Sequence, residues 1–297
     1  MTIWASPSRI VSAAEESLDS LVSTEWLAGE LGAPDLQVID ATIFLPGAGR
    51  DARAEYEAEH IPGAVFMDLD ELVDTANPAP HMLPPEHKFA SRMQSLGLGD
   101  GNRFVVYDNS PLHSSARAWW MLRAFGAHYV AILDGGLQKW KAEARPVESG
   151  RVHVRHAHFT AFLDREAVAD KEYVSGIVHS AEHGLVDARP ASRFAGYDAE
   201  PRPGVEPGHI PGARSLPQSD LFGPDNRWKR GDALRAAFDA AGVELDKPMV
   251  TTCGSGVTAA VLLFGAHLLG KEDVKLYDGS WSEWGADPAT PKATGPA

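Results

Sequence analysis

The sequence predicts an α/β protein made of two homologous domains, each with a mainly parallel sheet flanked by helices. The first observation behind this prediction is an internal repeat of domain size, in which four sequence blocks recur in one order at nearly one offset. The second is the alternation, in both halves, of apolar runs of strand length with runs of helix length, which is typical of parallel sheets. The third is a stretch between the halves, residues 142–164, that contains proline and glycine and lacks a helical period.

The internal repeat shows which parts of the two halves correspond. Four pairs of blocks carry it: VIDAT (38–42) and LVDAR (185–189), EHIPGA (59–64) and GHIPGA (208–213), RFVVYDNS (103–110) and KPMVTTCGS (247–255), and LDGGLQKW (133–140) and YDGSWSEW (277–284). The third pair places Asp108 opposite Cys253, 145 positions apart. Solenoid repeats have periods of about 20–50 residues, so this longer period indicates duplicated domains.

Within this frame, each half alternates predicted strands and helices. Apolar, β-rich runs predict strands at 36–40, 104–108 and 249–252, and one at 129–136 that ends in a turn. Amphipathic or long apolar runs predict helices at 51–60, 115–126 and 257–269. Residues 66–84 are rich in proline and show neither period, so they predict an irregular excursion.

The domain boundaries follow from the repeat and its flanks. The predicted division is an N-terminal tail (1–20), a first domain with Asp108 in place of the cysteine (21–141), a linker (142–164), a catalytic second domain (165–287) and a C-terminal tail (288–297). The N-terminal tail lacks a basic region followed by a long apolar stretch, so it does not resemble a secretory signal. Its three acidic residues also argue against a transit peptide.

Composition and charge argue against several classes of function. The formal net charge of −14, from 27 basic and 41 acidic residues, argues against nucleic acid as a partner, because phosphate binding needs a basic surface. The sequence has no run of about 18 apolar residues, so no membrane span is expected. Its one cysteine excludes an internal disulfide and fits a reducing compartment, which predicts the cytoplasm, or the mitochondrion in a eukaryotic cell.

The sequence predicts neither a metal site nor a cofactor. A single cysteine cannot form a thiolate-rich zinc site. The histidine cluster HVRHAH (153–158) alternates along the linker without an acidic partner nearby. This pattern is more typical of an exposed connection than of a set of metal ligands.

The only cysteine lies where ligands bind in parallel α/β sheets. The strand MVTT (249–252) ends just before Cys253, and a helix-length apolar run begins at 257. Gly254 and Gly256 allow a tight turn that exposes backbone N–H groups toward its centre. Such a nest beside a helix N-terminus stabilises a negative charge, which favours a reactive thiolate. The loop by itself is equally compatible with a buried structural cysteine.

The corresponding loop of the first half helps to choose between these interpretations. Its sequence is YDNSPLHS, with Asp108 at the position of the cysteine and without the two glycines. A small residue with a purely structural role would be kept in both copies. The difference therefore predicts that the second half carries out chemistry and that the first half supports it.

With these motifs, the chain resembles the tandem-domain sulfurtransferases of the rhodanese superfamily over roughly residues 21–287. The resemblance rests on the paired HIPGA blocks, the paired DGG and DGS blocks, and the loop CGSGVTA in the second half. It implies two rhodanese-like domains, in which Cys253 takes a sulfur atom from a donor as a persulfide and passes it to an acceptor. The implied acceptors are a small thiol, cyanide or a thioredoxin-like protein.

The loop is most similar to that of one branch of this family, the 3-mercaptopyruvate sulfurtransferases, which carry a Cys-Gly-Ser/Thr-Gly pattern. The loop residues Gly254, Gly256, Val257 and Thr258 are expected to bind the donor, and Ser255 is expected to be catalytic. The mammalian-type thiosulfate enzymes have charged side chains in this loop. We therefore expect 3-mercaptopyruvate as the donor and keep thiosulfate as the alternative.

Arginine suits a 2-oxo acid because its planar fork matches a carboxylate and the adjacent carbonyl. The stretch before the second HIPGA block contains Arg189, Arg193 and Arg202. The resemblance implies that Arg193 and Arg202 bind the substrate, and it leaves the role of Arg189 open. A solvated arginine or a structural ion pair is the usual alternative.

The resemblance also implies a Ser–His–Asp relay built from both halves. By motif, its members are Ser255, His81 and Asp70. In such a relay the aspartate fixes the imidazole tautomer, and the histidine orients and deprotonates the hydroxyl. Here the relay would shuttle the proton of the substrate thiol. The alternative is an exposed loop histidine and an aspartate that caps a helix.

Two other functions compete with sulfur transfer. A phosphatase of the same superfamily needs an arginine six residues after its cysteine, but here that residue is Ala259. A non-catalytic rhodanese-like binding module would lack the cysteine, whereas Cys253 and its glycines are present. Both observations favour an enzyme that transfers sulfur.

Overall fold

The computed structural model describes residues 18–178 and 180–296. Each half of the chain forms one five-stranded sheet. The first sheet contains β1 (Leu21–Val22), β2 (Leu36–Asp40), β3 (Val65–Phe66), β4 (Arg103–Tyr107) and β5 (Val130–Leu133). The second contains β6 (Val168–Ala169), β7 (Gly184–Asp187), β8 (Arg214–Ser215), β9 (Met249–Thr252) and β10 (Val274–Tyr277).

Helices connect these strands in both halves. Those of the first half are α1 (Thr24–Glu30), α2 (Ala52–Ala58), α3 (Glu86–Ser95), α4 (Ser115–Ala124) and α5 (Gly136–Ala142). Those of the second half are α6 (Lys171–Ile177), α7 (Ala191–Phe194), α8 (Gly231–Ala240), α9 (Ala259–Leu268) and α10 (Ser280–Trp284). Short 3₁₀ turns occupy Arg165–Ala167 and Gln218–Leu221.

The two sheets have the same topology. Their strand orders are β1-β5-β4-β2-β3 and β6-β10-β9-β7-β8, and every paired strand runs parallel to its neighbour. The predicted fold class, two similar α/β domains with parallel sheets, is therefore confirmed. Asp108 and Cys253 directly follow β4 and β9, which occupy the middle of their sheets. Both residues thus lie at the carboxyl edge of a central strand.

The domains meet along α4 and α9, and one hydrophobic core extends through both halves. Trp119 of α4 meets Phe264 of α9 edge to face, with ring centroids 4.8 Å apart. Residues 259–266 of α9 are all buried, which explains why this helix has no polar face in the sequence. The domain boundary is thus packed as a protein interior.

The repeat extends into the segments that follow each domain. The backbone of His60 exchanges two hydrogen bonds with Glu148 in the linker, with N–O distances of 2.9 and 2.8 Å. His209 exchanges the equivalent pair with Ala293, at 2.8 and 2.9 Å. Each HIPGA turn is thus held by the chain that leaves its own domain. None of the helices described by the structure has the length and apolar character needed to span a membrane.

The domains also exchange irregular segments, which we call exchange segments 1 (67–85) and 2 (216–230). Exchange segment 1 reaches the second domain, where the N–H of Leu83 donates to Asp278 Oδ2 at 2.6 Å. Exchange segment 2 reaches the first domain, where the N–H of Trp228 donates to Asp134 Oδ1 at 3.0 Å. The two aspartates begin the DGG and DGS turns of the repeat. Each domain therefore completes the carboxyl edge of the other.

Candidate functional site

Cys253 is 2% exposed and borders a cavity of about 950 Å³ between the domains. Its N–H donates to Ser280 Oγ at 3.2 Å, and its carbonyl accepts from the N–H of Trp281 at 2.9 Å. These bonds anchor the start of the loop to the DGS turn and α10. The loop then runs from residue 253 to 258 into α9.

The amides of this loop are available to an anion. Within residues 18–178 and 180–296, the backbone N–H groups of residues 254–259 have no protein acceptor. They directly follow the cysteine in the chain, at the start of a ten-residue helix. Backbone amides in such a nest stabilise a negative charge without charged side chains. The site can therefore stabilise charge on the sulfur of Cys253.

The two loop glycines are required for different reasons. Gly256 has φ +79°, and a Cβ there would stand 3.0 Å from both Arg117 Nη1 and the carbonyl oxygen of Asp278. Gly254 does not have a left-handed φ, but a Cβ there would stand 3.3 Å from Arg193 Nη2. The predicted tight turn thus depends on Gly256, whereas Gly254 makes room for an arginine.

The remaining loop residues also border the cavity. Ser255 and Val257 are buried, with 6% and 5% of their surface exposed, and Thr258 is the residue before α9. All three lie on the cavity wall together with Cys253 and Gly254. Gly256 lies behind the wall, against Arg117 and Asp278.

The structure brings the three predicted relay residues together. Ser255 Oγ lies 2.8 Å from His81 Nδ1, and His81 Nε2 lies 3.3 Å from Asp70 Oδ1. The side chain of His81 is 14% exposed, so it is not a solvated loop histidine, whereas that of Asp70 is 67% exposed. His81 has φ +60°, a left-handed conformation that is uncommon for a residue with a side chain. This geometry provides a path for a proton from the hydroxyl to the imidazole.

Arg193 and Arg202 both line the cavity beside the cysteine. Arg193 pairs through Nη2 with Glu200, and its buried Nε has no partner among the described residues. Arg202 Nη1 lies 3.4 Å from Ser282 Oγ. Burial lowers the pKa of the Arg202 guanidinium from its ordinary value, and the nearby Cys253 opposes that shift. In the described part of the chain, each guanidinium group thus keeps N–H donors without a protein acceptor at the edge of the cavity.

Arg189, whose role the sequence leaves open, belongs to a buried ion-pair network. It is 1% exposed and holds Asp187 through Nε and Nη2, at 3.0 and 2.7 Å from Oδ2. Its Nη1 donates to Glu200 at 2.8 Å, and its Nη2 also donates to the carbonyl of Gly208. Arg189 therefore fixes Glu200, which in turn holds Arg193 in the cavity wall.

The first domain supplies a wall of the cavity that the sequence reasoning missed. Residues 42–53, which follow β2, lie opposite the cysteine loop, and Arg50 and Arg53 are in this wall. Arg50 is paired with Glu55, and Arg53 with Asp68. The segment's position after the carboxyl end of a parallel strand could have identified it, because ligands bind at that edge.

The corresponding loop of the first domain is closed around its own anion. Asp108 accepts hydrogen bonds from the N–H groups of Ser110 at 2.9 Å and Ser115 at 2.8 Å. The adjacent cavity is about 20 Å³, which suffices for about one water molecule. His113 stacks on Phe222 of exchange segment 2, with ring centroids 3.5 Å apart. A carboxylate thus occupies the place of the Cys253 thiol, without space for a substrate.

The described residues contain no group of three or more histidine, cysteine or acidic side chains arranged to hold a metal ion. The cluster HVRHAH (153–158) lies in the segment between the domains, outside both helices and strands. The chemistry available at the cavity is therefore that of the thiol, the loop amides, the arginines and the histidine.

The chain matches the Rhodanese-like domain family twice, at residues 23–143 and 170–287. It is 45% identical over 271 residues to 3-mercaptopyruvate sulfurtransferase of Homo sapiens, which covers 89% of this chain and 91% of that protein. It is 42% identical over 273 residues to thiosulfate sulfurtransferase of Bos taurus, covering 89% and 91%. The crystal structure of SseA from Escherichia coli, a 3-mercaptopyruvate sulfotransferase, matches with a TM-score of 0.82 at 43% identity and covers 89% and 99%.

Proposed function

The chain belongs to the rhodanese-like domain family, and we propose that it is a 3-mercaptopyruvate sulfurtransferase that works through a persulfide on Cys253. The observation that carries this proposal is a buried thiol on a cavity lined by Arg193 and Arg202, followed by amides at residues 254–259 that have no acceptor in the described part of the chain. In this proposal the catalytic half is the second domain (165–287), and the first domain supplies His81 and Asp70.

The substrate would be held by its two polar ends. Arg193 and Arg202 bind the carboxylate and the 2-oxo group of 3-mercaptopyruvate, because both arginines border the cavity and each makes a single side-chain hydrogen bond among the described residues. Glu200 fixes Arg193 and is itself held by Arg189. A fixed guanidinium loses less conformational entropy on binding than a mobile one. The cysteine then faces the third carbon and its sulfur.

Sulfur transfer begins with attack of the Cys253 thiolate on the sulfur of the donor. An S–S bond forms, the C–S bond breaks, and its electron pair passes to carbon as the enolate of pyruvate. The proton of the substrate thiol ends on the methyl carbon of pyruvate, so the enzyme keeps a deprotonated persulfide. The amides of residues 254–259 stabilise the charge on sulfur, as donors do in an oxyanion hole.

The proton transfer is the role proposed for the relay. Ser255 lies in the cavity wall next to the nucleophile and hydrogen bonds to His81. His81 accepts the proton that reaches the serine and returns it to the enolate carbon, while Asp70 orients the imidazole. Because Asp70 is mostly exposed, its effect on the histidine is weaker than in a buried triad.

The second half-reaction returns the cysteine to its starting state. The thiolate of a thiol acceptor, or the carbon of cyanide, attacks the outer sulfur, the S–S bond breaks, and Cys253 leaves as a thiolate. We propose a small thiol, cyanide or a thioredoxin-like protein as acceptor, and the cytoplasm as the compartment, because a single free thiol fits a reducing environment. The product is a persulfide of the acceptor, or thiocyanate from cyanide.

Thiosulfate is the second candidate donor, because a thiosulfate sulfurtransferase of Bos taurus is almost as similar to this chain as the human enzyme. The loop favours 3-mercaptopyruvate. Its residues 254–258 are neutral, whereas a doubly charged donor would profit from a cation inside the loop.

Steady-state turnover with each donor, with cyanide as the common acceptor, tests the assignment. We expect faster turnover per active site with 3-mercaptopyruvate, and faster turnover with thiosulfate would reverse the order of the two candidates. Intact-protein mass spectrometry after donor treatment tests the nucleophile. The native protein should gain one sulfur atom, and a Cys253→Ser variant that still gains it would exclude the mechanism.

A further inference from the structure

We infer that Arg117, a first-domain residue outside the cavity wall, is a positioning residue that holds His81 against Ser255. The inference rests on the proposed function, since it concerns the relay of that site. Arg117 lies on α4 and is 2% exposed. An arginine is seldom buried unless its donors are satisfied, so its partners indicate what it does.

Arg117 contacts both segments that form the relay, and it also pairs with the aspartate of the DGS turn. Its Nη2 donates to the carbonyl of His81 at 2.5 Å, and its Nη1 donates to the carbonyl of Gly256 at 3.3 Å. Its Nη2 also lies 2.8 Å from Asp278 Oδ1, which forms a buried ion pair. One guanidinium thus binds the backbone of the histidine and the backbone next to the serine.

Asp278 completes the clamp from the other side. Its second oxygen accepts the N–H of Leu83, two residues after His81. Exchange segment 1 is therefore held by the carbonyl of His81 and by the amide of Leu83, and both bonds depend on the Arg117–Asp278 pair. Between them, His81 adopts φ +60°. Such a conformation persists only where the surrounding structure enforces it.

The other half of the molecule shows that domain exchange alone does not require this arginine. Asp134 accepts the N–H of Trp228 just as Asp278 accepts that of Leu83. The repeat places Leu262 at the position of Arg117, and the cation that reaches Asp134 is Arg230, whose side chain is 59% exposed. The aspartate beside the cysteine loop is thus paired with a buried arginine, Arg117, whereas the aspartate beside the Asp108 loop is paired with a largely exposed one, Arg230.

The test is a double-mutant cycle between Arg117→Lys and His81→Ala. Lysine keeps the charge opposite Asp278, but one ammonium group cannot bind both carbonyls in the geometry of the fork. Arg117→Lys should lower kcat about tenfold or more with KM within about twofold, because small displacements of reacting groups cost up to about 100-fold. In the His81→Ala background the same substitution should change kcat less than about twofold.

The matched control is Asp134→Asn, which weakens the equivalent exchange contact in the half that contains Asp108. Asp134→Asn should leave kcat unchanged, although it should lower thermal stability by about as much as Arg117→Lys does. Equal losses of kcat from Arg117→Lys with and without His81, or an equal loss from Asp134→Asn, would overturn the inference and show a structural role. If Arg117→Lys does not fold, the same cycle with Asp278→Asn has the same two outcomes. All measurements use the donor that the native enzyme turns over faster, so an error in the donor assignment does not affect them.

Discussion

The guanidinium group of Arg193 lies directly against Gly254, so that a Cβ on this glycine would stand 3.3 Å from Arg193 Nη2. Gly254→Ala therefore displaces the arginine by a few tenths of an ångström without straining the loop. We expect KM for 3-mercaptopyruvate to rise roughly threefold to tenfold while kcat changes less, because a substrate contact is weakened. Steady-state kinetics measures this, and a loss of kcat alone would show that the glycine serves the loop instead.

Removal of the relay histidine should impair chemistry more than binding. His81→Ala deletes the group 2.8 Å from Ser255 Oγ, so single-turnover persulfide formation should slow by about 100-fold. Asp70→Asn should cost less than about tenfold, because the Asp70 carboxyl is 67% exposed. Rapid-mixing measurements with one equivalent of donor report this step directly. Equal effects of the two substitutions would contradict the proposed order of roles.

Arg189 and Arg193 should separate into a structural and a substrate-binding residue. Arg189→Met leaves Asp187 buried without its cation and should lower the free energy of unfolding by about 3–5 kcal/mol. Arg193→Met leaves Glu200 paired with Arg189, so it should lower stability by about 1 kcal/mol and kcat/KM by about 10- to 100-fold. Urea denaturation and kinetics on both variants give the comparison. A reversed pattern would assign substrate binding to Arg189.

A cysteine at the first-domain position should not create a second active site. Asp108→Cys, made in a Cys253→Ser background, places a thiol beside a cavity of about 20 Å³ that is lined by the stacked rings of His113 and Phe222. We expect no added sulfur in mass spectrometry after donor treatment. A persulfide at position 108 would mean that the first-domain loop opens to donors.

The two repeated aspartates predict a difference in pH dependence. Asp40 and Asp187 occupy equivalent positions at the ends of β2 and β7. Asp187 is paired with Arg189, but the residue equivalent to Arg189 in the first half is Thr42, so Asp40 has no such cation. Burial therefore raises the pKa of Asp40 from 3.8 to about 6. Between these values the unfolded chain releases this proton and the folded chain keeps it, so stability is lost as pH rises from about 4 to 6. The loss is about 3 kcal/mol.

Asp40→Asn removes this titration. Its effect on the free energy of unfolding should therefore be more favourable at pH 8 than at pH 4 by about 3 kcal/mol. Urea denaturation at both pH values measures the difference. An effect that does not change with pH would show that folding does not raise the pKa of Asp40.

Much of the fold and part of the site could be predicted from the sequence. The strand LQVID (36–40) and the helix at 115–126 follow from apolar runs and glycine stops, and the structure has them at Leu36–Asp40 and Ser115–Ala124. The internal repeat alone predicts that Cys253 and Asp108 follow equivalent strands, as they do. Local pattern suffices for these features because each depends on residues close together in the chain.

The remaining features depend on contacts between distant residues. Arg117 has the sequence context of an ordinary helix residue, and its burial goes with contacts to His81, Gly256 and Asp278, which are distant in the chain. Glu200 shows no motif, yet it joins Arg189 to Arg193. A glycine in a turn usually indicates a special backbone conformation. Gly254 instead makes room for the side chain of Arg193, which is 61 positions earlier in the chain. Spacing in the sequence does not contain this information.

The reciprocal exchange of segments 67–85 and 216–230 has a consequence for the autonomy of the two halves. Each half leaves an aspartate at its carboxyl edge that only the other half caps, and the α4–α9 contact buries apolar surface of both. The protein is in this respect an internal heterodimer. Its halves should melt in a single cooperative transition, and separately expressed halves should regain activity only after they associate.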